Sequence, residues 1–326
     1  MFPHCAPAAA TLPCAAPRPL HLMRWWIYQK ERFPLAAHAP LIAAFSACAV
    51  TYAALLTGGP RPGAMPFVVA FVTSLLFFLQ LRIADEFKDA GEDAAYRPYR
   101  PVPRGLVTLA ELRRVFIAGG AIQLALALWY QPLLALVLLL AWLYLGLMCV
   151  EFFARDWLVA RPITYLWTHM LIMPIVDLYA TAAYWLPLGL APKVALLPFL
   201  AASFANGLVI ELGRKIRQPD AEETGVPTYS RLWGRHGAVL AWIGCLGFTL
   251  ACSLLAAARI DALWLHAACM APLLLLCLLA SRRFLAGKTT GKSLETAAGL
   301  WTLVLYISLG LLPWLLSLRG AASIDG

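Results

Sequence analysis

The chain has 326 residues, of which 62% are hydrophobic and only 13% charged, against about 45–50% and about 25% in soluble domains. A soluble fold of this length cannot bury so much apolar side chain. Soluble globular, disordered and coiled-coil classes are excluded, which leaves a polytopic membrane protein. The net charge of +9 reads as the cation bias of cytoplasmic loops and not as nucleic-acid binding.

Residues 1–23 are rich in Ala and Pro and read as a disordered tail, with Met23 as an alternative start. Arg18 follows the weak apolar run there, the reverse of a secretory signal. Residues 24–35 place Trp25, Trp26 and Tyr28 beside Lys30 and Arg32, the composition of an interfacial helix. Nine apolar stretches then fill residues 36–317, at roughly 36–57, 64–84, 114–130, 132–153, 162–187, 193–211, 237–257, 262–281 and 295–317. Each is drawn as a crossing of ~30 Å of hydrocarbon. The third is short, and the fifth holds His169, Pro174 and Asp177. Residues 318–326 form a short tail. The predicted fold is all-α, about nine transmembrane helices in a bundle around a central cavity.

With the N-terminus in the cytoplasm and sides alternating, 22 of the 26 Lys and Arg residues fall inside and four outside. That split orients the bundle. The Ala/Leu-rich composition and basic inner face point to a bacterial inner membrane. The eight cysteines show no CxxC and no metal-ligand spacing, so neither a disulfide framework nor a zinc site is expected.

Positive-inside bias explains cations but not carboxylates. Five of the 17 acids lie between Asp85 and Asp93, after the second stretch, and four between Glu211 and Glu223, after the sixth. Asp85, Asp89 and Asp93 are spaced i, i+4, i+8, which puts them on one helix face. Carboxylates a turn apart repel. A divalent cation such as Mg²⁺ relieves that repulsion with oxygen ligands, waters and substrate phosphate; a solvated helix end is the plainer alternative. Lys88 lies within this run. Arg97, Arg100 and Arg104 follow on a proline-stiffened loop, placed to fork onto phosphate oxygens or to serve as ordinary cytoplasmic cations. The second constellation runs from Asn206 through Glu211, Arg214, Lys215 and Asp220 to Glu222 and Glu223. Clusters on one surface from both halves of the chain suggest one shared site.

At these residues the sequence resembles the UbiA superfamily of intramembrane prenyltransferases, over nearly all of residues 24–317. The family's first motif is of the NDxxDxxxD type followed by RPxxxG. Asp85, Asp89 and Asp93 with Arg100-Pro101-Val102-Pro103-Arg104-Gly105 match it, with Ala84 in place of Asn and a first spacing of four instead of three. The second motif is usually DxxxD, and here Glu211 takes the first place and Lys215 the second.

The resemblance implies Mg²⁺-dependent transfer of a prenyl group from an allylic prenyl diphosphate to an aromatic or lipophilic acceptor in the bilayer, with the active site on the cytoplasmic side. Asp85, Asp89, Asp93 and Glu211 would be the catalytic acids and, with Asp220, the metal ligands. Lys88, Arg97, Arg100, Arg104, Arg214 and Lys215 would bind diphosphate. Phe87, Tyr96 and Tyr99 could offer ring faces to a carbocation, or serve as interfacial aromatics.

Tyr165, His169 and Asp177 fall on one face of a continuous helix. With Tyr96 and Asn206, His169 and Asp177 are candidates to line an acceptor cavity or take the acceptor's proton, or else polar pairs that pack helices together. Two other readings stay open. A terpene cyclase would use the same diphosphate-ionising apparatus. A secondary transporter would keep its ionisable groups near the midplane, where only Asp177 plainly lies.

Overall fold

The computed structural model describes residues 21–226 and 228–322. The tail drawn at 1–23 therefore lies almost wholly outside the described residues, as do the last four of the C-terminal tail. Among the described residues the chain is helical, with no strand.

Helix α1 (His21–Arg32) covers most of the segment expected to lie at the interface. Its Trp25 and Tyr28 pack on Ile83, Val107 and Leu112, while Trp26 stays exposed. Ion pairs fasten it at both ends, Arg24 to Glu111 at 2.7 Å and Arg32 to the buried Glu86.

Helices α2 (Leu35–Thr57) and α3 (Ala64–Lys88) make the first hairpin. A bend at Asp89 leads into the short α4 (Ala90–Tyr96). Helix α5 (Leu109–Tyr130) starts five residues before the drawn stretch. There Thr108 and Glu111 form a capping box that satisfies its first amides. The short crossing is the fourth and not the third: α6 (Leu134–Cys149) has 16 residues, about 24 Å of rise. It stops short of the drawn end at 153 because Glu151, Phe152 and Phe153 take left-handed φ of 48°, 52° and 57°.

After α7 (Arg155–Val159), α8 (Pro162–Met170) and α9 (Ile172–Trp185) share one crossing broken at Leu171. Pro174 has no N–H for the Met170 carbonyl, which opens the ladder there. Helix α10 (Leu197–Arg214) precedes α11 (Tyr229–Ala258), kinked at Gly234, whose φ is 70°. Then come α12 (Leu263–Leu285) and α13 (Gly291–Tyr306), a π turn at Ile307–Leu311, and α14 (Leu312–Ala322). Helix therefore continues into residues drawn as the C-terminal tail.

Among the described residues eight helical segments are long and apolar enough to cross a membrane, and α6 is a shorter ninth. The chain is an integral membrane protein. Helix α10 runs along α11, α12 along α13, α2 against α9 and α3 against α5. The π turn comes so close to α2 that a Cβ on Gly310 would stand 2.5 Å from the Cys48 carbonyl oxygen; only glycine fits there. At one end of the bundle Tyr184 donates to the Pro60 carbonyl at 2.7 Å and Lys193 to that of Leu56 at 3.3 Å. The opposite end carries the charged loops after α3 and α10.

Candidate functional site

The first acidic motif sits where α3 turns into α4. Main-chain bonds from Asp89 N to Asp85 O (2.9 Å) and Asp93 N to Asp89 O (2.8 Å) carry the helical ladder across the bend. The three carboxylates nevertheless have different fates. Asp93 is buried and fully engaged, by Arg97 at 3.0 Å and by Arg100 at 2.7 Å. The prolines after Tyr96 turn the loop back onto its own helix, so these two arginines neutralise Asp93 instead of reaching outward. Arg104 points away as well, donating to Glu31 of α1 and to the Tyr99 carbonyl, each at 2.8 Å.

Asp85 and Asp89 are left half-buried. Asp85 pairs with Arg82 at 3.0 Å, and the Asp89 carboxylate has no ion-pair or hydrogen-bond partner among the described residues. Burial, and next the charge on Asp85, push the Asp89 carboxyl above the usual carboxylate range.

Lys88 turns sideways into a cluster the sequence did not resolve. Its ammonium bonds Glu151 at 2.6 Å, donates to the Tyr165 hydroxyl and lies 3.4 Å from His169 Nε2. Tyr165 stacks on His169 with ring centroids 4.0 Å apart. Burial alone would raise the Glu151 carboxyl, but the neighbouring His169 and the Lys88 ammonium outweigh it and hold it at about 2. Three consecutive left-handed residues cost roughly 1–2 kcal/mol each, and the partners of Glu151 hold the turn there. The drawn fourth stretch had swallowed Glu151. An ionisable residue inside a supposed span was the signal that could have found it.

The second motif closes α10. Glu211 is buried and its carboxylate is taken by two cations, Arg214 at 2.6 Å and Lys215 at 2.9 Å. Lys215 also lies over the Tyr229 ring, 5.9 Å from its centroid. The following loop is self-contained. Glu222 accepts from Thr228 and Ser230, Arg217 pairs with Glu223 at 2.8 Å, and Gln218 donates to the Phe284 and Thr289 carbonyls. The Glu223 carboxyl is lowered by the hydrogen bond from Arg217, against burial. Asp220 is exposed on the turn Pro219–Ala221, and nothing joins it to Glu211.

The two halves meet. Tyr99 donates to Glu223 at 3.1 Å, and a Cβ on Gly225 would stand 2.5 Å from the Tyr96 ring. Gly225, with φ 76°, is therefore required both by its backbone and by its neighbour. Arg82 and Arg214 each lie within electrostatic reach of Asp85. The end of α3, with Asp85 and Asp89 beside it, thus meets the end of α10 at one charged mouth, where Arg214 lies within electrostatic reach of Asp85.

Asp177 does not belong to this mouth. The break at Leu171 separates it from His169, and it lies fully buried, accepting from Tyr306 at 2.9 Å. Asn206 accepts from Thr302 at 3.1 Å. Each keeps one unpaired polar atom, Asp177 Oδ1 and Asn206 Nδ2. Between α3, α6 and α9 a void of about 10 Å³ lies against Ser74 and Tyr179.

Among the described residues no three His, Cys, Asp or Glu side chains are gathered to hold a metal ion on their own. The donor set at Asp85 and Asp89 still fits Mg²⁺, which commonly takes one or two carboxylates and fills its shell with water and phosphate. The set at Glu211 does not fit a second ion, because two cations already neutralise it.

A solved structure described as the apo form of a UbiA homolog from Aeropyrum pernix K1 matches with a TM-score of 0.63, covering 82% of this chain and 96% of that one at 15% identity. No protein-family model and no curated protein matches the sequence.

Proposed function

We propose that the chain belongs to the UbiA superfamily and is a prenyltransferase. It would ionise an allylic prenyl diphosphate at the charged mouth and pass the prenyl group to an aromatic or lipophilic acceptor within the bilayer. The single observation that carries this reading is that Asp85 of the first motif lies within electrostatic reach of Arg214 of the second. Carboxylates alone would repel a diphosphate, and cations alone would bind any anion. The combination suits a metal-bound phosphate gripped from its other side.

Asp85 and Asp89 would hold Mg²⁺, which when bound supplies positive charge to the departing diphosphate. Lys215 and Arg214 would meet its remaining oxygens, with Glu211 orienting both. Charge placed in advance where it develops favours C–O cleavage. The surrounding apolar helices keep the allylic cation from water. Asp93, Arg97 and Arg100 fix the loop that shapes the mouth. The cation-rich end would face the cytoplasm, with a bacterial inner membrane as the setting.

The test is to incubate the purified protein with prenyl diphosphates of several lengths and Mg²⁺, with and without a panel of aromatic acceptors. A prenylated acceptor is expected. A cyclised hydrocarbon formed without acceptor would assign a cyclase instead, and no release of diphosphate from any donor would end the reading.

A further inference from the structure

The cluster around Glu151 is not used by donor binding in the proposed reading, and its geometry fixes the tautomer of a neutral His169. His169 Nδ1 lies 2.8 Å from the Tyr165 carbonyl oxygen, which can only accept. Thr168 Oγ1, 3.5 Å from the same nitrogen, already donates to the Thr164 carbonyl and so can only accept as well. Nδ1 therefore carries the hydrogen, and in the neutral ring Nε2 keeps the lone pair. Nε2 faces Lys88 Nζ at 3.4 Å and Glu151 Oε2 at 3.4 Å. Oε2 is buried and has no hydrogen-bond partner. A base thus stands in front of a carboxylate oxygen able to receive the N–H that protonation would create. The ring cannot turn freely: it is stacked on Tyr165 and meets the Phe152 ring edge-on at 5.8 Å. The same left-handed turn supplies both Glu151 and Phe152.

Resting on the prenyl-transfer reading above, we infer that His169, backed by Glu151, takes the proton that the acceptor loses. The allylic C–O bond breaks and diphosphate leaves with its electron pair. The acceptor donates an electron pair to the allylic carbon and forms the new bond. The bond from the attacked acceptor atom to hydrogen then breaks. Its electrons stay with the acceptor and its proton goes to His169 Nε2, whose new N–H is received by Glu151 Oε2. The proton returns to water as product leaves. Lys88 makes this conditional. Its ammonium stands 3.4 Å from Nε2 and must leave that nitrogen for the acceptor's proton to reach it. His169 is the catalytic residue of this step and Glu151 its positioning residue.

The experiment measures two rates on purified protein with geranylgeranyl diphosphate, Mg²⁺ and the aromatic acceptor panel: diphosphate release and prenylated product. His169→Gln is expected to lower product by about 10²–10³. Diphosphate release should continue within about threefold, the prenyl group being diverted to the alcohol by water. Retained release shows that the donor site is folded. Glu151→Gln should shift the same ratio in the same direction by about tenfold, decides the matter should the histidine variant misfold, and should be rescued in part by Glu151→Asp. Product and release falling in parallel, or product unchanged, overturns the assignment and makes the cluster a tether. Wild-type release of diphosphate without transfer to any acceptor removes the transferase reading and this step with it.

Discussion

The two acidic motifs meet at one mouth and solve opposite electrostatic problems. In the first, Asp93 is neutralised from its own loop, which leaves Asp85 and Asp89 as a half-buried pair with Arg82 as its one ion-pair partner among the described residues. In the second, the buried Glu211 already holds two cations. The first has carboxylate to spare and the second has positive charge to spare. The asymmetry teaches that one ion on one side and protein cations on the other would share the work of gripping a diphosphate. On the proposed reading a symmetric pair of metal sites is not required.

The comparison breaks most readily at Asp89. Asp89→Asn should lower diphosphate release by about 10³ or more while the protein remains monodisperse, and chelation should do the same, reversed by Mg²⁺. Full activity in excess chelator would show that the first motif holds no ion. Lys215→Met comes next. Loss of a charge-assisted contact to the leaving group should cost roughly 2–4 kcal/mol, about 10²–10³ in kcat/KM for the donor. A fall below threefold would leave an ordinary ion pair with Glu211, worth under about 1 kcal/mol.

Gly225→Val tests whether the two halves act as one mouth. The added side chain forces the Tyr96 ring away and strains a left-handed backbone. A drop of roughly 10–100-fold in kcat is expected from misplacement alone, and unchanged kinetics would uncouple the loops.

The smallest effect is one of stability and carries the opposite sign. The Asp89 carboxyl is raised by burial and by Asp85, so its protonated form is the one the fold prefers. The stability it contributes is present at low pH and lost as pH rises through its raised range. At pH 7 without divalent cations, Asp89→Asn should therefore melt above wild type in a thermal-shift assay. The gap should close on acidification or on adding Mg²⁺ to the wild type. A lower Tm for the variant would mean that Asp89 has a stabilising partner.

Much of the fold was legible because hydrophobic runs of about twenty residues have few alternatives to spanning a membrane. The i, i+4 spacing of Asp85 and Asp89 was legible for the same kind of reason, since helical geometry leaves little freedom. What escaped were features decided by tertiary contact. The turn at Glu151–Phe153 is left-handed without a Gly or Asn to announce it. The fate of Arg97 and Arg100 depended on which way a proline-stiffened loop folds. The continuous face expected for His169 and Asp177 is cut at Leu171, because Pro174 offers no N–H to the Met170 carbonyl.

The brevity of α6 reaches beyond the protein itself. Its 16 residues rise about 24 Å, and Leu136, Leu139, Leu140 and Leu143 on it are exposed. Hydrocarbon about 30 Å thick must dimple inward along that flank. The dimple lowers the headgroups toward the Glu151 turn that follows α6. Lipids with shorter or more disordered chains fit such a depression at less elastic cost, so the membrane's composition becomes a setting on the charged mouth.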